Sequence, residues 1–295
     1  MTFKGAMTAL ITPFRDGAVD HEALAALVDR QIEAGIDGLV PCGTTGEAAT
    51  MTEDEQLSVI RTVVEAADGR VPIVAGTGSN DTEKTVAYTR KVAEIDGVDA
   101  ALVVVPYYNK PDQRGLRGHF RAVADRGGLP VVLYNVPGRT VRSFTPETVG
   151  RLADHDNIVA IKEATGDLRF GSEVLEAVEG RIDVLSGDDF TTFPLMAAGG
   201  VGCISVVSNV APGVMQRMCR AALDGDLETA RALHLKIQPL ARALFAAPNP
   251  APAKQMAAML GLCEPTVRRP LAPVSATVRE RLEQLIDDFD LRNVT

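Results

Sequence analysis

The sequence predicts an α/β chain, a (β/α)8 TIM barrel with a C-terminal helical region, on three observations. Eight apolar, β-branched runs recur, the stretches between them are long enough for a helix each, and the strand pattern stops after about residue 208. At 295 residues, one barrel of about 250 residues plus an appendage fits the length.

The strand runs fall at 6–12, 38–42, 71–76, 100–106, 130–135, 158–162, 182–186 and 202–206. Helix starts fit between them, because a hydroxyl or carboxamide followed three residues later by glutamate satisfies unpaired first-turn amides. Thr52 with Glu55, Asn80 with Glu83, and Thr277 with Glu280 have this spacing, and Thr145-Pro146-Glu147 places proline at a first helical position. Helical segments are expected at 213–223, 227–246, 253–260 and 277–288. The chain is therefore divided into a barrel, 1–225, and a helical region packed on it, 226–295.

Hydrophobic residues at 46% and charged residues at 23% match a globular chain. The net charge of -9, from 30 basic and 39 acidic residues, offers no basic surface for a phosphate backbone, so nucleic acid is excluded as an expected partner. The opening MTFKGAMTALITPFRDG has an apolar run far shorter than a membrane span and no secretory cleavage pattern, which predicts a cytoplasmic protein with no membrane partner. Cys42, Cys203, Cys219 and Cys263 form no CxxC or CxxH pair, and four scattered histidines give no metal centre or triad. The chemistry is expected from other residues, without a metal.

Lys162 ends the almost wholly apolar run Ile158-Val159-Ala160-Ile161. With period-two alternation Ile158, Ala160 and Lys162 share one face, so the amine points into the mouth where barrel active sites lie. Burial there disfavours the charged ammonium and leaves a neutral amine to attack a ketone. The competing reading is a lysine reaching out to solvent.

Gly43-Thr44-Thr45-Gly46-Glu47 follows the second strand run. Its glycines let backbone amides approach a ligand, and its two hydroxyls can bind a carboxylate or pass a proton. Neither GxGxxG nor GxxxxGK[ST] is present there, which argues against a phosphate loop; a plain glycine turn stays open. Tyr107, Tyr108 and Tyr134 all stand at strand ends, as proton relays or as packing at a core edge. Arg139 could clamp a carboxylate or make a surface ion pair. Asp188-Asp189 fits helix capping better than Mg²⁺ binding, since no further acidic ligand lies close in sequence.

In order along the chain, GTTGE, PYYN, YNVPGRT, IKEATGD, LSGDD and NPAPAK resemble the pyruvate-dependent lyase and aldolase superfamily typified by N-acetylneuraminate lyase, and within it the bacterial dihydrodipicolinate synthase family. The resemblance implies a lyase with a (β/α)8 barrel, commonly a tetramer of two tight dimers, that needs no cofactor. It implies Lys162 as the Schiff-base lysine, Tyr134 as proton donor and acceptor, and Thr44 and Thr45 as pyruvate-binding and relay hydroxyls. Tyr108 matches a relay tyrosine contributed by a neighbouring subunit. Arg139 matches the guanidinium that receives the aldehyde's carboxylate, and Gly187 and Ile204 match backbone positions lining the pyruvate pocket.

The implied reaction joins pyruvate to L-aspartate 4-semialdehyde in lysine (diaminopimelate) biosynthesis. The alternative is a related aldolase acting on N-acetylneuraminate or 2-keto-3-deoxysugar acids. Asn80 and Tyr107 match a feedback site for lysine, but Lys84 stands where sensitive members carry glutamate, with Glu53 and Gln56 nearby, so weak or absent lysine feedback is expected.

Overall fold

The computed structural model describes residues 3–291; residues 1–2 and 292–295, the outer ends of the two regions read from the sequence, lie outside the described residues. Eight strands make one sheet: β1 (Gly5–Ala9), β2 (Gly38–Val40), β3 (Val74–Gly76), β4 (Ala100–Val104), β5 (Val131–Asn135), β6 (Ile158–Glu163), β7 (Asp183–Ser186) and β8 (Gly202–Ser205). Their order is β2-β1-β8-β7-β6-β5-β4-β3, and every pairing is parallel. A parallel bridge from Leu39 to Ile73 joins the two outer strands and closes the barrel.

Alternation along the strands sorts the core into two layers. Met7, Ala9, Val40, Val74, Leu102, Val132, Tyr134, Leu185 and Ile204 fill the barrel interior. Their strand neighbours, such as Val103, Val131, Leu133 and Val184, belong instead to the outer core shared with the helices. The sequence reading put Ile158, Ala160 and Lys162 on one face, and this is corrected. Val131 pairs with Ile158 but Val132 with Ala160, so β6 carries an irregularity at Val159. The extra residue sends Ile158 to the outer core and keeps Ala160 inside.

Helices α1 (His21–Glu33), α2 (Glu53–Ala67), α3 (Thr82–Ala93) and α4 (Gln113–Arg126) follow the first four strands. The short α5 (Pro137–Thr140) and α6 (Pro146–Leu152) follow β5, and α7 (Leu168–Val178), α8 (Thr192–Ala197) and α9 (Pro212–Leu223) follow the last three. Thr52 and Glu55 form the expected reciprocal cap of α2, and Thr145 caps α6 with Pro146 in its first turn. Two caps differ. Asp81, not Asn80, caps α3 through the Lys84 amide, which frees the Asn80 side chain to donate to the Tyr107 carbonyl at 3.1 Å. Ser275, not Thr277, caps the last helix. Asp81 stands one position after Asn80 and Ser275 two positions before Thr277, and each has the extended backbone that an N-cap needs.

Beyond α9 lie α10 (Leu227–Leu244), α11 (Ala251–Met259) and α12 (Ala276–Asp288). α10 packs on α8 and α9, and α12 packs on α10 and α11. Among the described residues, no helix is long and apolar enough to cross a membrane.

Candidate active site

Lys162 and Tyr134 are lateral partners in the β5–β6 register, at the carboxyl ends of their strands. Both are buried, at 5% and 6% exposure, and the Lys162 Nζ lies 4.5 Å from the Tyr134 ring centroid. A lysine ammonium held against the face of a phenol ring is drawn to its negative π surface. Gly187, just past β7, fixes the lysine stem from the other side. A β-carbon there would fall 2.9 Å from both Cγ and Cε of Lys162 and 2.6 Å from Cβ of Ala164, so only glycine fits. Ile204, on β8, is buried in the same interior cluster as Tyr134.

The GTTGE loop leaves β2 through Cys42 and reaches Glu47, both in left-handed backbone at φ 56° and 55°. Two glycines permit this path. A β-carbon on Gly46 would meet the Cys42 nitrogen and Leu10 oxygen at 3.1 Å, and one on Gly76 would strike the Cys42 carbonyl at 2.1 Å. The Thr12 hydroxyl donates to the Gly46 carbonyl at 2.7 Å. Thr45 is buried, and its Oγ1 accepts from Asn249 Nδ2 at 2.9 Å.

Glu47 anchors the end of the loop. Its Oε1 accepts from Lys254 Nζ at 2.6 Å and its Oε2 from the Arg268 amide at 2.8 Å. The Lys254 ammonium also donates to the Thr266 carbonyl and lies 4.0 Å from the Phe14 ring centroid. Burial pulls the Lys254 ammonium below its ordinary pKa, against the opposing pull of Glu47.

Above these groups opens a cavity of about 720 Å³, lined in part by Thr44, Tyr107, Tyr134, Arg139 and Asn249. Lys162, Thr45, Gly187 and Ile204 do not form its wall; Lys162 meets it by way of the Tyr134 ring. Arg139, in α5, is exposed on this wall and has no ion-pair partner among the described residues. Tyr108 is not brought to the site within one chain. It is 88% exposed on left-handed backbone at φ 73°.

Sequence reasoning assigned no role to Asn249, Lys254, Glu47 or Glu163, although NPAPAK and GTTGE contain the first three. Glu163 is buried beside Lys162, and burial raises its carboxyl pKa against a bond from the Thr165 amide at 2.8 Å. Asp189 accepts from the Val206 and Val207 amides at 3.0 and 3.1 Å, at the start of a short 3₁₀ turn. The capping read from the sequence is corrected. Neither aspartate caps the helix that follows: the N-cap of α8 is Thr191, without a side-chain cap bond, and Asp188 Oδ1 accepts from the Phe190 amide at 2.9 Å. Among the described residues, no cluster of three or more His, Cys, Asp or Glu side chains could hold a metal ion. The four cysteines are free.

A closed parallel barrel with a buried amine, a phenol and a threonine loop at the carboxyl ends of its strands defines a barrel lyase. The dihydrodipicolinate synthetase family profile matches residues 2–289. The 4-hydroxy-tetrahydrodipicolinate synthase of Pelobacter propionicus is 52% identical over 98% of this chain and 99% of its own. The solved dihydrodipicolinate synthase of Aquifex aeolicus superposes with a TM-score of 0.96 at 43% identity, covering 98% of this chain and 99% of its own. The chloride-inhibited enzyme of Acinetobacter baumannii, solved with pyruvate, gives 0.96 at 42% identity over 98% and 100%. The chain belongs to the dihydrodipicolinate synthetase family.

Proposed function

We propose that this chain condenses pyruvate with L-aspartate 4-semialdehyde to 4-hydroxy-tetrahydrodipicolinate, in lysine (diaminopimelate) biosynthesis, through a Schiff base on Lys162. The observation that carries it is the buried Lys162 amine 4.5 Å from the Tyr134 ring centroid at the mouth of the barrel. The full-length relatives bearing the synthase name support this activity over cleavage of N-acetylneuraminate or 2-keto-3-deoxysugar acids.

The neutral Lys162 amine attacks the pyruvate ketone, water leaves, and the protonated imine draws electrons from the methyl carbon. Loss of a methyl proton gives an enamine. Its carbon adds to the aldehyde, and the substrate's own amine then displaces Lys162 as the ring closes. Tyr134, Thr45 and Thr44 bind pyruvate and move protons between these steps. The unpaired Arg139 guanidinium on the cavity wall receives the aldehyde's carboxylate, the bidentate match that guanidinium makes best. Gly187 and Ile204 bound the pyruvate pocket. The residues supply this chemistry without a cofactor.

Tyr108, almost fully exposed in one chain, completes the relay of a neighbouring copy, in a homotetramer of two tight dimers working in the cytoplasm. Borohydride reduction with pyruvate, followed by peptide mass mapping, tests the reading. A pyruvate adduct on Lys162, absent in Lys162→Ala, is expected. Turnover with position 162 unmodified would overturn it.

A further inference from the structure

We infer that Asn80 and Asn109 are positioning residues, which together hold Tyr108 in the strained turn that keeps its phenol out of its own barrel mouth. The inference rests on the reading above in which Tyr108 completes the relay of a neighbouring copy. Tyr108 is the centre of a three-residue turn, closed by the Asn109 amide donating to the Tyr107 carbonyl at 2.9 Å. With φ at 73° this is the rare, strained form of that turn, and an uncommon backbone for an aromatic residue. Lys110, at φ 52°, is left-handed as well. A side chain that is 88% exposed offsets none of this strain by packing within its own chain. Such a turn persists only where the surrounding structure over-determines it.

The two asparagines supply that constraint. Asn80 Nδ2 donates to the Tyr107 carbonyl at 3.1 Å, so that oxygen takes a bond on each lone pair, and Asn109 Nδ2 donates to the Asn80 carbonyl at 2.7 Å. The residues on either side of Tyr108 are thus both tied to Asn80. Asn80 is itself well anchored, because Asp81 beside it caps α3 and the Ser79 hydroxyl bonds the Asp81 amide and carbonyl at 3.2 and 3.1 Å. Beyond the turn, Arg142 Nε donates to the Lys110 carbonyl at 3.2 Å. Neither asparagine lines the cavity, so an effect of either on turnover must pass through the turn.

Asn80→Ala and Asn109→Ala each remove one tie and leave the backbone amide that closes the turn. The relaxed turn holds the phenol in place for less of the time. We expect kcat to be about tenfold lower in each variant, with the KM for pyruvate little changed. In a Tyr108→Phe background the same changes should cost nothing further. Equal losses in both backgrounds would overturn the inference.

Hybrid assemblies supply a readout that a purely structural role would not move. Lys162→Ala and Asn109→Ala copies, co-expressed with different tags and isolated together, combine an intact Tyr108 turn with an intact Lys162 only across the boundary between copies. The kcat per intact Lys162 should rise from the Asn109→Ala value towards that of the parent. No rise would overturn the inference, because Asn109 would then act inside its own barrel. Tyr108→Phe as fast as the parent would bring down the relay reading and this inference together. A slow Tyr108→Phe beside asparagine variants with parental kcat would bring down the inference alone.

Discussion

Glu47 and Lys254 stand 207 positions apart in the sequence, yet their side chains form an ion pair with no solvent exposure on either side, Nζ to Oε1 2.6 Å. Each is the other's main compensation for leaving water, so removing one strands a buried charge.

Lys254→Met should lower the unfolding free energy by about 3–5 kcal/mol, read by urea denaturation. Adding Glu47→Gln removes the stranded charge, and its amide oxygen still accepts from the Arg268 amide. A large part of the loss should return. A double variant no more stable than Lys254→Met would mean that the charges are not what holds the segments.

Gly187→Ala should reduce kcat at least about tenfold and also lower the melting temperature, because the added carbon would fall 2.6 Å from the Ala164 β-carbon, which has no rotamer to yield. The same carbon would fall 2.9 Å from both Cγ and Cε of Lys162 and push the amine aside. A shift of about 1 Å at a nucleophile is enough for a loss of about 10²-fold. Unchanged kcat would show that the amine tolerates a crowded stem.

The Arg268 guanidinium grips both oxygens of Glu55, at 2.6 and 2.8 Å, and holds its carboxyl down at about 2. An unfolded glutamate titrates near 4.3. With a folded value lowered, the stabilisation is complete above about 4.3 and is lost as the pH falls towards about 2. The drop in melting temperature caused by Arg268→Met should therefore be largest near neutrality and smaller at about pH 3. A pH-independent drop would assign the effect to the guanidinium's packing over Phe14, 4.2 Å from the ring centroid, or to its bonds to the Thr50 and Gly17 carbonyls.

L-lysine should inhibit weakly or not at all. Lys84 lies on the cavity wall with Tyr107, Glu53 and Gln56, where a cation opposes a ligand's ammonium, and Glu53 is already paired with Lys91. Lys84→Glu should bring inhibition on or strengthen it, read from initial rates across a lysine titration. Strong inhibition of the parent enzyme would contradict the charge argument.

The barrel was legible because buried parallel strands read as apolar runs, and because the interior needs the period-two alternation that puts Tyr134 and Leu185 inward. The irregularity at Val159 was not legible, because every residue from Ile158 to Ile161 is apolar and either face accepts it. The amine at a strand end was legible as a chemical oddity in an apolar run. Asn249, Glu47 and Lys254 were not. Residues of these types are usually exposed, and nothing local says that two segments this far apart will meet. Tyr108 stands out in sequence beside Tyr107, but only coordinates show that its side chain leaves its own barrel mouth for solvent.

The last strand of the barrel ends at Ser205, whereas the residues that fasten the threonine loop, Asn249, Lys254 and Arg268, come much later. During synthesis from the amino end, a nascent chain can thus complete its cylinder while the loop still hangs loose. The ribosome must pass Arg268 before the mouth can be locked, so the loop that carries the threonines is fastened only late in synthesis.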